Sequence, residues 1–480
     1  MINRRARPSA LLLLAAAVAG CAPSRGVDET ATQAPTFYVP GLPYFYSELD
    51  VELPQGVTID TVRPDLQVNL RVFVPNASLS FVKVPDGYLA RFELSTRVVD
   101  PETGDLLRER EWSESTLVAA FEQTRLYAPH LVIRSVTAPP GRYDLEIRVT
   151  DLDNRKQAAR RHRVEVADLR RRPVVTGMNR LESRRPDGTW EPAYTGTVRR
   201  SADSLRLAAT VLTLAPPITV AGGLTLLRVS VDTAAALPPY ANPPTGGGTV
   251  IREFVGIGAP DTVFRTRWQM EAAGQQTTIR VMIPPLPEGV YRMDVEGTGG
   301  GPRLPETEFR WSRWYVVRSQ EYPRPATLDE VAAALQYIAT EQEWRAIDSV
   351  TSPRERKRRF DQFWLSIAGS GPAAANLLKA YYTRVQEANL FFSGHKEGWR
   401  SDRGMVYIVM GPPPVVERRL DQEVWRYGAS EEDALQSFAF RRGTSGIEGA
   451  PFENYVLQRQ YYYDRIWLRM VERWRTGRIF

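Results

Sequence analysis

A chain of 480 residues is too long for one hydrophobic core, and about three domains are expected. With 43% hydrophobic and 25% charged residues, it has the composition of a folded globular protein. The formal charge of +6 is small for this length and gathers into no basic stripe, which argues against a nucleic-acid-binding surface. A single cysteine excludes an intrachain disulfide and a thiolate metal cluster.

Arg4, Arg5 and Arg7 precede an apolar run from Ala10 to Val18. That run is too short to cross a bilayer of about 30 Å as a helix. It ends in Val18-Ala19-Gly20-Cys21, which resembles the lipobox of bacterial lipoproteins. The resemblance implies a signal peptide over residues 1–20 and acylation of Cys21 as the first mature residue. Two or three acyl chains, at roughly 0.8 kcal/mol per buried methylene, would then hold the protein on a membrane. A plain secretory signal cleaved near Ala22 is the competing reading. Ala22 is not aspartate, which under proteobacterial sorting favours the outer membrane, and an orientation facing the periplasm is expected there. Loss of the three signal arginines lowers the formal charge from +6 to +3.

Residues 21–36 are small, polar and without period, as in a flexible tether. Residues 37–170 carry strand signals. Leu66-Gln-Val-Asn-Leu-Arg-Val-Phe-Val alternates after Pro64-Asp65, Tyr88-Leu-Ala-Arg-Phe-Glu-Leu follows Pro85-Asp86-Gly87, and Tyr143-Asp-Leu-Glu-Ile-Arg-Val-Thr follows Pro139-Pro140-Gly141. Residues 171–320 repeat the plan with strands near Leu205, Leu224 and Thr277. The Gly141-Arg-Tyr143-Asp-Leu145 stretch recurs as Gly289-Val-Tyr291-Arg-Met293. The spacing predicts two tandem β-sandwich domains of immunoglobulin-like type, without the Cys…Trp…Cys signature. The glycine runs at 246–248 and 299–301 lack a following Lys-Ser/Thr, so neither is a phosphate-binding P-loop. Both read as flexible hairpin loops.

After Pro323-Arg-Pro325 the pattern becomes helical. Thr327-Leu-Asp-Glu330 reads as a capping box, with Leu328, Val331, Ala332, Leu335, Ile338 and Ala339 on one helical face. Ser352-Pro353-Arg-Glu355 caps the next helix in the same way, and a third helix follows Gly369-Ser-Gly-Pro372. Next come Gly398-Trp399-Arg400-Ser401-Asp402-Arg403-Gly404, a tight polar turn, and Met405-Val-Tyr-Ile-Val-Met410, which reads as a central strand stopped by Gly411-Pro412-Pro413. Two partner strands follow around Trp425 and Phe438. A last helix is expected from about Asn454. Residues 325–480 thus predict an α+β domain, helices on a small antiparallel sheet.

This C-terminal stretch resembles the GWxTD family, a domain of no established activity found in bacterial envelope proteins. The resemblance rests on Phe360-Asp-Gln-Phe363-Trp364, on Tyr381-Tyr382-Thr-Arg384-Val385 through Phe392, on the Trp399 turn, on Gly411-Pro412-Pro413 and on Glu423-Val-Trp425. Ser401 stands where the family usually has threonine, and Pro414 where an aspartate is common.

The candidate binding or structural motif is Trp399, Ser401, Asp402, Arg403 and Trp425. A Ser-Asp pair can hold a turn by accepting backbone amides, with Arg400 or Arg403 pairing Asp402 and Trp399 packing beneath. A buried Trp399 means structure, and an exposed one beside a cleft means recognition. Three histidines, His130, His162 and His395, are split between distant regions and read as surface residues. No zinc site, serine-hydrolase signature or cofactor is indicated. The leading expectation is a lipid-anchored, non-catalytic scaffold with envelope protein partners. The alternatives are peptidoglycan or glycan binding through the aromatic-rich C-terminal domain, and an enzyme of unknown reaction.

Overall fold

The computed structural model describes residues 45–52, 65–124, 129–171, 174–184, 187–193, 196–200, 204–241, 259–325, 327–413, 415–418, 422–428, 436–443 and 454–479. The signal segment, Cys21, the tether, the glycines at 246–248 and Pro414 lie outside them. The architecture is mixed: β-rich over the first two thirds, α+β at the C-terminal end.

In the first unit, β1 (Tyr46–Glu52), β2 (Leu66–Pro75) and β6 (Pro129–Ala138) form one antiparallel sheet. β4 (Gly87–Val99), β5 (Leu106–Val118), β7 (Gly141–Asp151) and β8 (Gln157–Val166) form the other, in the order β5-β4-β7-β8. The short β3 (Val82–Val84) hairpins onto β4, and the one-turn α1 (Phe121–Thr124) follows β5. Leu70 and Val72 of one sheet share a core with Phe92, Leu94, Ile147 and Val149 of the other. The period-2 alternation read from the sequence supplies these inward side chains.

The second unit has β9 (Val174–Arg184), β12 (Leu205–Leu212) and β15 (Gln276–Ile283), with β10 (Trp190–Pro192) added at the edge. Its other sheet holds β13 (Ile218–Val229), β14 (Asp261–Ala272), β16 (Gly289–Gly301) and β17 (Leu304–Arg318), with β11 (Thr197–Arg199) parallel to β17. Set side by side, β9-β12-β15 matches β1-β2-β6, and β14-β13-β16-β17 matches β5-β4-β7-β8, in the same chain order. The sequence echo has a structural counterpart as well. Tyr143 donates to the Pro139 carbonyl at 2.8 Å and Tyr291 to the Pro287 carbonyl at 2.7 Å, each four residues back. The glycines at 299–301, expected in a loop, lie inside β16 instead. A Cβ on Gly300 or Gly301 would come within 2.7 Å of backbone, so the strand passes too close there for a side chain.

The C-terminal part contains α2 (Leu328–Ala334), α3 (Glu341–Asp348), α4 (Pro353–Ala368), α5 (Gly371–Phe392), α6 (Asp402–Met410) and α7 (Tyr463–Arg475). An antiparallel sheet, β18 (Val415–Arg418), β19 (Gln422–Arg426), β20 (Ser437–Gly443) and β21 (Asn454–Leu457), completes it.

Four expectations are corrected here. The presumed central strand is helix α6, whose residues Arg403 through Met410 are all buried. A helix apolar on every side shows no 3.6-residue rhythm, and its short apolar run reads like a buried strand. The helix expected from Asn454 is strand β21, and α7 begins only at Tyr463. The expected single face from Leu328 to Ala339 breaks into α2 and a 3-10 turn, and the full reciprocal capping box is Thr340 with Glu343 at the start of α3. Ser352 precedes α4 without a side-chain cap, while Thr327 and Ser370 do cap α2 and α5.

Candidate functional site

The polar turn is built on two contacts that only glycine allows. Gly398 opens a 3-10 turn, residues Gly398–Arg400, pressed on the last turns of α5. A Cβ there would lie 1.8 Å from the Ala388 carbonyl oxygen. Gly404, in the first turn of α6, lies over the same turn, and its Cβ would lie 1.9 Å from the Gly398 oxygen. Both obstacles are backbone and cannot rotate away. The Gly398 amide donates to Ser393 Oγ at 2.7 Å, and the Trp399 amide to Asn389 Oδ1 at 3.1 Å. Trp399 is 1% exposed, with its ring against Tyr337, whose hydroxyl donates to the Trp399 carbonyl at 2.8 Å.

Ser401 is the N-cap of α6. Its Oγ accepts the Gly404 amide at 3.0 Å and donates to the Gly398 carbonyl at 2.6 Å. Asp402 follows in the first turn, where the helix dipole favours its charge. Its Oδ2 accepts the Leu457 amide of β21 at 2.7 Å, and Arg459 reaches both oxygens, at 2.5 and 3.2 Å. The partner is thus neither Arg400 nor Arg403. Arg403 turns inward, 7% exposed, with its guanidinium 4.2 Å from the Tyr455 ring centroid and 3.4 Å from Glu423. Glu423, 2% exposed, also accepts the Trp425 indole N–H at 2.6 Å. Trp425 is itself 1% exposed among Phe392, Tyr407 and Phe440. The five motif residues therefore converge on both sides of the start of α6, joining it to the turn, to β19 and to β21.

The far end of α6 is satisfied as well. Arg384 of α5 donates to the Ile408 and Val409 carbonyls at 3.1 and 3.4 Å, and the Trp474 indole to Val409 at 3.0 Å. These groups fill the orphan carbonyls that a buried helix end would otherwise leave bare.

A family model described as the GWxTD domain matches residues 306–476. The C-terminal part of this chain is a GWxTD domain. The match opens inside β17, earlier than the expected start at 325. No curated protein matches the chain. Among solved structures it is similar to red sea bream transglutaminase (9% identity, TM-score 0.15, 56% of this chain). It is similar too to native E. coli alpha-2-macroglobulin (8%, 0.18, 58%). The chain spans 31% and 16% of those two proteins.

Sequence reasoning missed what the GWxTD turn holds. After β13 the chain runs out as an extended strap, residues 232–241, across the turn. The Ala236 amide donates to the Arg400 carbonyl at 2.9 Å, and Arg400 Nη1 donates to the Thr233 carbonyl at 3.1 Å. Lys396 Nζ donates to the Ala234 carbonyl at 3.0 Å, and Arg459 Nη2 to the Leu237 carbonyl at 3.0 Å. Ala236 is buried in the core of the GWxTD domain, where Tyr240 packs too. Contact is mostly to the strap's backbone, so its Ala-Ala-Ala-Leu-Pro-Pro sequence gave no polar signal. The signal available was length. The β4–β5 connection spans residues 100–105, while β13–β14 spans 230–260.

The histidines also depart from expectation. His395 is 6% exposed, and burial, with Lys396 and Arg318 nearby, lowers its pKa to about 3. His162 is lowered by burial and then by Arg160, and lies 2.7 Å from Ser47 Oγ. Beside the turn, His395, Lys396, Ser401, Arg403 and Tyr455 border a cavity with room for about one water. Among the described residues no cluster of three or more His, Cys, Asp or Glu is placed to hold a metal. A broad depression of about 920 Å³ lies elsewhere, over the start of α4, bordered by Arg354, Lys357 and Arg358.

Proposed function

We propose that this chain is a lipid-anchored protein of the bacterial envelope that acts as a non-catalytic scaffold for protein partners. Acylated Cys21 would hold it at the periplasmic face of the outer membrane. Residues 37–170 and 171–320 would form tandem immunoglobulin-like sandwiches carrying the GWxTD domain. Supporting that subdivision are the shared strand order and the paired Tyr143 and Tyr291 hydrogen bonds, which are similar to the tyrosine corner of such domains. No helix among the described residues is long and apolar enough to cross a membrane.

One observation carries the non-catalytic reading. Asp402, the acid on which an enzymatic role would rest, is committed to a backbone amide and to Arg459. A glycan platform is not favoured, since Trp399 and Trp425 are each 1% exposed and offer no ring face to a sugar. The test is recovery of the Cys21-anchored protein from native membranes after mild crosslinking. A reproducible envelope partner is expected, and recovery of none under any crosslinking condition contradicts the scaffold. Mass spectrometry of the mature amino terminus tests the anchor: an unmodified Cys21 on freely released protein overturns it.

A further inference from the structure

β5 is a thirteen-residue edge strand whose only paired neighbour among the described residues is β4. Exposed edges usually carry devices against pairing, such as proline or a short length. β5 has neither, and it exposes Leu106, Leu107 and Leu117 by 45, 52 and 53%. What it does have is charge, most of it before Trp112, the midpoint of the strand. When two copies of Leu106-Leu-Arg-Glu-Arg-Glu-Trp112-Ser-Glu-Ser-Thr-Leu-Val118 run antiparallel with Trp112 opposite Trp112, all thirteen residues pair. Leu107 then faces Leu117, Arg110 faces Glu114 and Glu111 faces Ser113, and each pairing occurs twice. No like charges meet.

A two-fold axis through a sheet keeps every side chain on its own face, so some residue must face itself at the centre. Centring on Glu109, Arg110 or Glu111 would put like charges together, and only Trp112 gives full overlap. The equivalent edge of the second unit, β14, behaves differently. Its two nearest-to-full registers place Arg265 against Arg267, or Arg267 against itself. The pattern is therefore particular to β5 and does not follow from strand order alone.

We propose that β5 is a homodimerisation edge: two copies of this chain join β5 to β5, antiparallel and centred on Trp112, into one continuous ten-stranded sheet. The inference does not depend on the lipid anchor. Contact by one strand pair is small, so the association is weak and concentration-dependent.

Sedimentation equilibrium of the full chain carrying Cys21→Ser tests it, with thermal unfolding showing that each variant is folded. A monomer–dimer equilibrium is expected. Ser113→Glu sets acid against Glu111 twice and raises Kd about tenfold, while Ser113→Lys lowers it by a similar factor. Mild oxidation of a mixture of Glu111→Cys and Ser113→Cys chains yields a covalent dimer that neither chain yields alone. A chain that stays monomeric at every concentration overturns the proposal. So does a dimer indifferent to both Ser113 changes, or one crosslinked equally by the single variants.

Discussion

Asp402 and Arg459 form a fork-to-fork ion pair, Oδ1 to Nη2 at 2.5 Å and Oδ2 to Nη1 at 3.2 Å, with side chains 10 and 14% exposed. The same carboxylate takes the Leu457 amide, and the same guanidinium takes the Leu237 carbonyl. One charge pair thus ties the start of α6, strand β21 and the strap together. Breaking a buried pair from one side strands the other charge. Asp402→Ala and Arg459→Met should each cost about 3 kcal/mol. The double variant should cost less than the sum by about 1–3 kcal/mol. Denaturant unfolding of the four chains, followed by tryptophan fluorescence, measures the coupling.

The two glycines of the turn make a sharper prediction. Gly398→Ala and Gly404→Ala each place a methyl within 2 Å of fixed backbone, at 1.8 and 1.9 Å. Each should cost at least about 3 kcal/mol in the same assay. Gly369→Ala meets no atom within 4 Å, but its φ of +73° strains a side chain, so it should cost only about 1 kcal/mol.

Ser401 differs from the family's usual threonine, yet its work is that of a cap. Ser401→Thr should stay within about 0.5 kcal/mol of the parent, and Ser401→Ala should lose about 1 kcal/mol. A catalytic hydroxyl would show no such ordering in stability.

Buried His395 gives the stability a pH dependence of known sign. Its folded pKa of about 3 lies below the unfolded value of 6.5, so the unfolded chain takes up the proton first. Stability is full above pH 6.5 and falls as the pH drops toward 3. Between pH 7 and 5 the loss should be about 2 kcal/mol. Glu343, held to about 2 mainly by Arg475, adds nothing until the pH falls below 4.5. His162 adds loss of the same sign in the first unit. His395→Gln should flatten the slope for the GWxTD domain alone, as followed by pH-dependent unfolding.

The strap predicts its own sensitivity. Ala236→Pro removes the amide that bonds the Arg400 carbonyl, and should cost about 1–2 kcal/mol. It should also hasten limited proteolysis within residues 232–241.

Strands such as Gly87–Val99 and Leu205–Leu212 were legible because one face is buried and the other much less so, and the alternation is written in the residues. α6 was misread for the opposite reason: nothing faces water, so the sequence carries no period. Strand β5 escaped notice because its first six residues are all exposed, and the alternation after them sets Trp112, Glu114 and Thr116 against Ser113, Ser115 and Leu117, with no clean apolar face. At the site, Trp399 as an apolar anchor and Ser401 as a turn-former followed from residue chemistry. The Arg459 partner did not, because it lies 57 residues from Asp402 and only the β21–α6 contact brings it near. His395 resembled a loop histidine because Asp232 of the strap, which meets it in the fold, lies far earlier in the chain and leaves no local trace.

The most direct test of the claim that Asp402 is a structural fastener is amide hydrogen exchange at Leu457, in the parent chain and in Asp402→Ala. The account predicts strong protection of Leu457 and Ala236 in the parent, and at least about tenfold faster exchange at Leu457 in the variant. Leu457 exchanging in the parent like an unstructured amide, with no change on substitution, would contradict it.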